Sequence, residues 1–270
     1  MMLAKEDATV FEGVRVQTGG LVAEVILDRP PVNAVSTGMY ESLIAVFRQL
    51  SAREDVNVVI LRSANERIFS AGADIRQKTA APGIAESANE YRQRLAHTCY
   101  DAILDCALPT IAVVNGTALG AGTVLAACCD IRVASAGARL GLPEINVGRC
   151  GGGRHLMRLI PQGKTRLMYF TGEPIDAAEA HRIELVQAVC DPGTELEYAR
   201  ELAGRIAAKS PYGLRLAKRA LNECEWMNVS DGYAREQVYT LRLNEHPDAT
   251  EAAQSVVERR AATWQWPAVR

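Results

Sequence analysis

Several familiar signatures are missing from this chain. It carries no HExxH, no CxxC pair, no GxxxxGK[ST] and no GxSxG, so zinc-peptidase, P-loop and nucleophile-elbow chemistries lack their residues. Aromatic residues make up only 6% of its 270 residues. There is no basic excess: 30 Lys and Arg against 32 Asp and Glu leave a formal charge of −2, which argues against a nucleic-acid partner. Seven cysteines form an odd set without framework spacing and read as reduced thiols of a cytoplasmic protein. The opening stretch MMLAKEDATVFEG has early acids and no long apolar run, so no secretory signal is expected. Cys106–Cys129 is free of charged side chains. Yet Pro109, Asn115, Gly116, Gly120 and Gly122 interrupt it, and acids flank it, which reads as strand, turn and helix rather than a membrane span.

What is present is a hydrophobic fraction of 48% with 23% charged residues, ordinary for a globular α/β chain long enough to bury its own core. Val14–Gln17 and Leu21–Leu27 flank Gly19-Gly20 and predict a hairpin. Ser36 predicts a helix cap ahead of an apolar stripe at Met39, Leu43, Phe47 and Leu50. Val56–Leu61, Thr110–Val114 and Ile131–Ala134 read as buried strands, and 86–104 as a helix. Asp176 with Glu179 resembles a capping box, and Leu196, Ala199, Leu202 and Ile206 make a helical stripe. Ser210-Pro211 predicts another helix start, with further helices near 232–243 and 249–263. Strands and helices therefore alternate to about residue 150, and helices dominate afterwards.

Three segments have the residue types for chemistry. Thr110–Val114 runs into Asn115–Gly122, a strand and glycine turn entering a helix, a layout that exposes backbone N–H groups to an anion. Close packing of strand and helix explains the same glycines equally well, and Leu125 spoils a dinucleotide fingerprint. Phe69–Ile75 follows a strand and is expected to set small residues at a helix start; a plain tight turn is the alternative. Two such turns supply two N–H donors, which suits a thioester carbonyl becoming an enolate. Glu144 lies in an apolar stretch. It reads either as a solvated loop acid or as a carboxyl whose pKa burial would raise toward acid–base use. Of the four histidines only His155, after Gly151–Arg154, stands near a candidate site.

Taken together, LDRPPVNAVS (27–36), VVILRSANERIFSAGADI (58–75), AVVNGTALGAGTVLAACCDIRVAS (112–135), LGLPEINVG (140–148) and AAKSPYGLRLAKRALN (207–222) resemble, in that order, the crotonase superfamily, the enoyl-CoA hydratase/isomerase family. The resemblance implies a crotonase-like α/β spiral of ββα units over residues 1–200. A C-terminal helical region over 201–270 would build a homotrimer or a stacked hexamer. It implies an acyl-CoA thioester as substrate, with coenzyme A part of that substrate, no separate cofactor and no metal. Neither a nucleic acid nor a membrane partner is expected.

Carried onto this chain, the oxyanion N–H groups belong to Ala73 and Ala121, and Glu144 is the acid–base group. Val32, Ala34, Ala71, Asp74 and Ile75 line the CoA path, and residues 76–90 flank the acyl pocket. The family's hydratases commonly place a second glutamate where Val124 stands. Valine moves no proton, so its presence points toward a single-glutamate, double-bond-shifting isomerase. A lone glutamate can also activate water and pass its proton to the α-carbon, which keeps hydration of a 2-enoyl-CoA as the leading expectation. Arg154 and His155 replace small residues and would reshape the acyl pocket or touch substrate. A non-catalytic acyl-CoA-binding homologue is the alternative of another class.

Overall fold

A computed structural model describes residues 9–76 and 87–265. Most of the expected flank of the acyl pocket (77–86) therefore lies outside the described residues. The strands are β1 (Thr9–Phe11), β2 (Val14–Gly19), β3 (Val22–Leu27), β4 (Val58–Ser63), β5 (Ile68–Ser70) and β6 (Thr110–Val114). They continue with β7 (Thr117–Leu119), β8 (Ile131–Ser135), β9 (Arg139–Gly141), β10 (Ile175–Asp176) and β11 (Ala188–Cys190). The helices are α1 (Thr37–Ala52), α2 (Ala88–Leu104), α3 (Ala121–Ala127), α4 (Gly153–Met157) and α5 (Gln162–Thr171). After them come α6 (Ala177–Arg182), α7 (Glu195–Ala207), α8 (Pro211–Cys224), α9 (Val229–Asn244) and α10 (Pro247–Glu258).

A larger sheet runs β1-β2-β3-β4-β6-β8-β11, and a smaller one runs β10-β9-β7-β5. The β1-β2-β3 end is antiparallel, and from β3 onward each neighbour is parallel. The chain alternates between the sheets: β4 then β5, β6 then β7, β8 then β9, with a helical segment after each pair. This is the expected repeat of ββα units. The small-sheet strands are three residues long or shorter, which is why alternation of hydrophobicity never marked them. The Phe69–Ile75 segment departs from expectation. Phe69-Ser70 closes β5, and Ala73 bridges Val35 in parallel instead of opening a helix.

Side-chain alternation divides the core. Val58 and Ile60 of β4, Ile111 and Val113 of β6 and Val133 of β8 turn to one face, where Ala199, Ala203 and Ala207 of α7 cover them. Val59, Leu61, Ala112 and Val114 turn to the other, against α1 and α2. A period of two on a parallel strand with both faces covered produces this division. The predicted caps form: the Ser36 hydroxyl accepts from the Met39 N–H at 3.1 Å, Asp176 from Glu179 at 2.8 Å, and Ser210 from Gly213 at 2.9 Å. The second half of the expected box at Asp176 is absent, because the Glu179 carboxylate pairs with Lys164 and Arg182 instead. The apolar run 106–129 resolves into β6, β7 and α3. Among the described residues no helix is long and apolar enough to cross a membrane.

Thr123 fastens the small sheet to α3. Its buried hydroxyl donates to Ala118 O at 2.7 Å, is within 2.9 Å of Gly141 O, and accepts from the Gly141 N–H at 3.2 Å. Thr123→Val keeps the shape and leaves these backbone groups short of a partner. Thermal or urea unfolding is expected to show a loss of about 1–3 kcal/mol, and an unchanged midpoint would contradict this role.

Candidate active site

The 27–36 loop, the 69–76 segment and the turn after β9 enclose a cavity of about 670 Å³. Hydrogen bonds hold the first two together. Asn33 Nδ2 donates to Phe69 O at 3.1 Å, Ser70 Oγ to Asn33 O at 2.7 Å, and the Ala71 N–H to Val32 O at 3.0 Å. The Val35 N–H donates to Gly72 O at 2.8 Å and the Asp74 N–H to Val35 O at 2.9 Å. Arg29 clamps the same junction through Asp74 at 2.9 Å and Ala34 O at 2.8 Å. Val32, Ala34, Ala71, Ala73, Asp74 and Ile75 line the cavity, together with Gly120 and Glu144.

Two backbone donors are free. Within the bridge to Val35, the N–H used is that of Asp74, so the Ala73 N–H has no acceptor among the described residues. Ala121 opens α3, where an N–H lacks an intrahelical partner, and it too has none among the described residues. The turns that carry them press together. A Cβ built on Gly72 would stand 2.8 Å from Leu119 O and 3.6 Å from Ala121 N. One on Gly122 would stand 2.6 Å from Ser70 O. Only glycine allows this approach, and Gly72 also has φ +95°.

Glu144 meets the same turn. It lies in a 3-10 turn (Pro143–Val147) that Gly148 closes in the left-handed region. A Cβ on Gly120, itself at φ +52°, would fall 2.5 Å from Glu144 Oε1. The other carboxyl oxygen, Oε2, is buried without a hydrogen-bond partner among the described residues. Burial raises the Glu144 pKa above the ordinary glutamate value, and a bond from its own backbone N–H offsets only part of that. A partly dry carboxyl beside the Gly120 turn is suited to accept and return a proton.

Three predicted residues, Ala121, Val124 and His155, are not among those that line the cavity. Val124 is 1% exposed and packs toward Gly152, within 2.6 Å of where that residue's Cβ would be. His155 packs edge-on against Tyr100, with centroids 5.1 Å apart, and burial lowers its pKa. Arg154 lies over the Trp226 ring at 4.1 Å. Asn146, Val147 and Arg149 also line the wall; the first two lie in the candidate segment around Glu144, and no sequence motif pointed to Arg149. A carboxyl-carbon NMR titration is expected to place Glu144 above the 4.5 of an unperturbed glutamate. A value at or below it would mean that water or a cation reaches the group.

A model of the enoyl-CoA hydratase/isomerase family matches residues 17–267. A Rhodococcus jostii protein named (7aS)-7a-methyl-1,5-dioxo-2,3,5,6,7,7a-hexahydro-1H-indene-carboxyl-CoA hydrolase is 37% identical, over 84% of this chain and 86% of its own. The short-chain-enoyl-CoA hydratase of Clostridium acetobutylicum is 32% identical, over 93% and 96%. The crystal structure of an enoyl-CoA hydratase from Bacillus anthracis superposes with a TM-score of 0.88 at 30% identity, covering 93% of this chain and 98% of that one. With its crotonase-type spiral, this chain belongs to the enoyl-CoA hydratase/isomerase family and is an enzyme of acyl-CoA chemistry.

Proposed function

We propose that the protein hydrates a 2-enoyl-CoA, or dehydrates its product. The Ala73 and Ala121 N–H groups hold the thioester oxygen, and Glu144 moves the proton. The observation that carries this reading is the buried, unpartnered Glu144 Oε2 beside the Gly120–Ala121 turn. In the hydration direction Glu144 takes a proton from water as its oxygen bonds to the β-carbon. The electron pair of the double bond moves onto the thioester oxygen, where two N–H dipoles oppose the new charge. Glu144 then returns the proton to the α-carbon. Coenzyme A is part of the substrate, and no step calls for a separate cofactor or metal.

Val124 favours a second reading, a shift of the double bond, since that reaction needs one proton carrier and no held water. Among the described residues no carboxylate perturbs Glu144, which suits a one-carboxyl site. Crotonyl-CoA and a 3-enoyl-CoA separate the two readings. Loss of conjugated-thioester absorbance with the first is hydration, and a gain with the second is isomerisation. Release of free thiol would instead be thioester hydrolysis. Glu144→Gln is expected to cut kcat about 10²–10⁴-fold while the dissociation constant for a CoA ester stays within about threefold. Undiminished turnover would remove Glu144 from the reaction. If the base form of Glu144 is required, kcat/KM falls on acidification, with a midpoint above the ordinary glutamate value.

We further propose a trimer, or a hexamer of stacked trimers, built through the helical region beyond residue 200, and a cytoplasmic location, which suits seven free thiols. Leu221, Trp226, Val229, Tyr233, Leu241 and Val257 are large apolar side chains exposed on this region, which a contact between copies would cover. Light scattering after size exclusion is expected to give three or six copies of the 29.3 kDa chain. A monomer would overturn the assignment.

A further inference from the structure

The backbone behind the Ala73 N–H runs back to a cation. That N–H shares a peptide with Gly72 O, which accepts the Val35 N–H at 2.8 Å. The Val35 N–H in turn shares a peptide with Ala34 O, which accepts from Arg29 Nη1 at 2.8 Å. In a trans peptide the C=O and N–H point opposite ways, and neither of these two peptides is cis. The order is therefore guanidinium, peptide 34–35, peptide 72–73, and last the N–H of Ala73, which has no acceptor among the described residues.

Arg29 is fixed at the head of this row. Its Nη2 meets Asp74 Oδ2 at 2.9 Å, and its own N–H donates to Asn33 Oδ1 at 2.8 Å. Its stem lies by the β1–β2 turn, where a Cβ on Gly13 would stand 3.2 Å from Arg29 Cβ. Asp74 directly follows Ala73. Its Oδ1 accepts the Arg76 N–H at 3.0 Å, and its own N–H donates to Val35 O at 2.9 Å. The carboxylate thus has a bond at each oxygen and joins the guanidinium to the residue beside the donor. The Ala121 N–H has no such backing. Its peptide oxygen, Gly120 O, accepts the Val124 N–H at 3.0 Å, the opening bond of α3.

We infer that Arg29 is a positioning residue for the Ala73 N–H, acting on the reacting carbonyl through two peptides in series, with Asp74 fixing its fork. This rests on the reading above in which Ala73 holds the thioester oxygen. The row fixes the direction of the N–H, and a donor aimed in advance needs no reorganisation as charge develops. Hydrogen bonds in series also polarise one another, and the first donor here is charged. The last N–H is therefore a stronger donor than a lone peptide, and most so when the oxygen it meets becomes an enolate. Such a role serves the transition state more than ground-state binding. Arg29 also lines the cavity, so direct contact with a phosphate of coenzyme A is the rival role that the test must separate.

Two measurements on Arg29→Gln and Arg29→Lys decide between them. One is turnover of whichever of crotonyl-CoA and a 3-enoyl-CoA the unaltered protein converts. The other is the infrared stretch of bound butyryl-CoA, an unreactive ester, carrying a heavy isotope at its thioester carbonyl. Arg29→Gln is expected to lower kcat about 10- to 10²-fold, while the dissociation constant of butyryl-CoA stays within about threefold. Binding to the unaltered protein is expected to lower the carbonyl frequency, and Arg29→Gln to return it toward that of the free ester. Arg29→Lys keeps the charge without the fork and should recover part of both effects. Asp74→Asn keeps Arg29 and the shape of the loop, and a smaller loss of the same kind is expected. A lower melting temperature with kcat and carbonyl frequency unmoved overturns the proposal. So does weaker binding of butyryl-CoA at unchanged kcat, which would assign the guanidinium to a phosphate of coenzyme A. If the unaltered protein binds butyryl-CoA without moving its carbonyl frequency, or does not bind it, the reading of Ala73 as a donor to the thioester falls first, and this inference with it.

Discussion

The site depends on contact between two backbone turns that have no room for a Cβ. Gly72 approaches the carbonyl of Leu119, Gly122 that of Ser70, and Gly120 the carboxyl of Glu144. Each contact would be below 3 Å with a methyl group present. Small residues at these positions bring the ends of β5 and β7 together. The parallel pairing of β5, β7 and β9 supplies the rigid support. Thr123 ties that sheet to the helix that begins at Ala121.

Two glutamates show what environment does to one side chain. Glu24, 8% exposed, is bound by Arg62 and Arg200, both at 2.6 Å. Burial alone would raise its pKa, but bonds from Arg200 and Arg62 outweigh burial and hold the carboxyl below its ordinary range. That acid stays charged and serves structure. Glu144 is covered as well, yet nothing cationic offsets the loss of water, so its shift runs upward. A proton carrier needs this second environment, because a carboxylate locked to two guanidinium groups gives up nothing by remaining ionised.

Much of the larger sheet was legible. Thr110–Val114 is a strand at the predicted residues, and the Met39, Leu43, Phe47 and Leu50 stripe is buried as its spacing implied. The smaller sheet was not, since Ile68–Ser70, Thr117–Leu119 and Arg139–Gly141 are too short to alternate visibly. For the same reason Phe69–Ile75 read as small residues at a helix start, although Ala73 is held by a bridge to Val35. Position in the chain also misled at His155. It follows a glycine run close to Glu144, but helix α4 turns its ring onto Tyr100 rather than toward the cavity.

The sequence by itself determined the family, the alternation of strands and helices and the presence of one carboxyl in an apolar stretch, because these depend on local spacing and on residue type. Only the tertiary structure decided that Ala73 and Ala121 have N–H groups without an acceptor among the described residues, and that Glu144 meets Gly120. Hydrogen-bond saturation, desolvation and charge proximity are properties of groups brought together from distant parts of the chain, and no window along the sequence contains them.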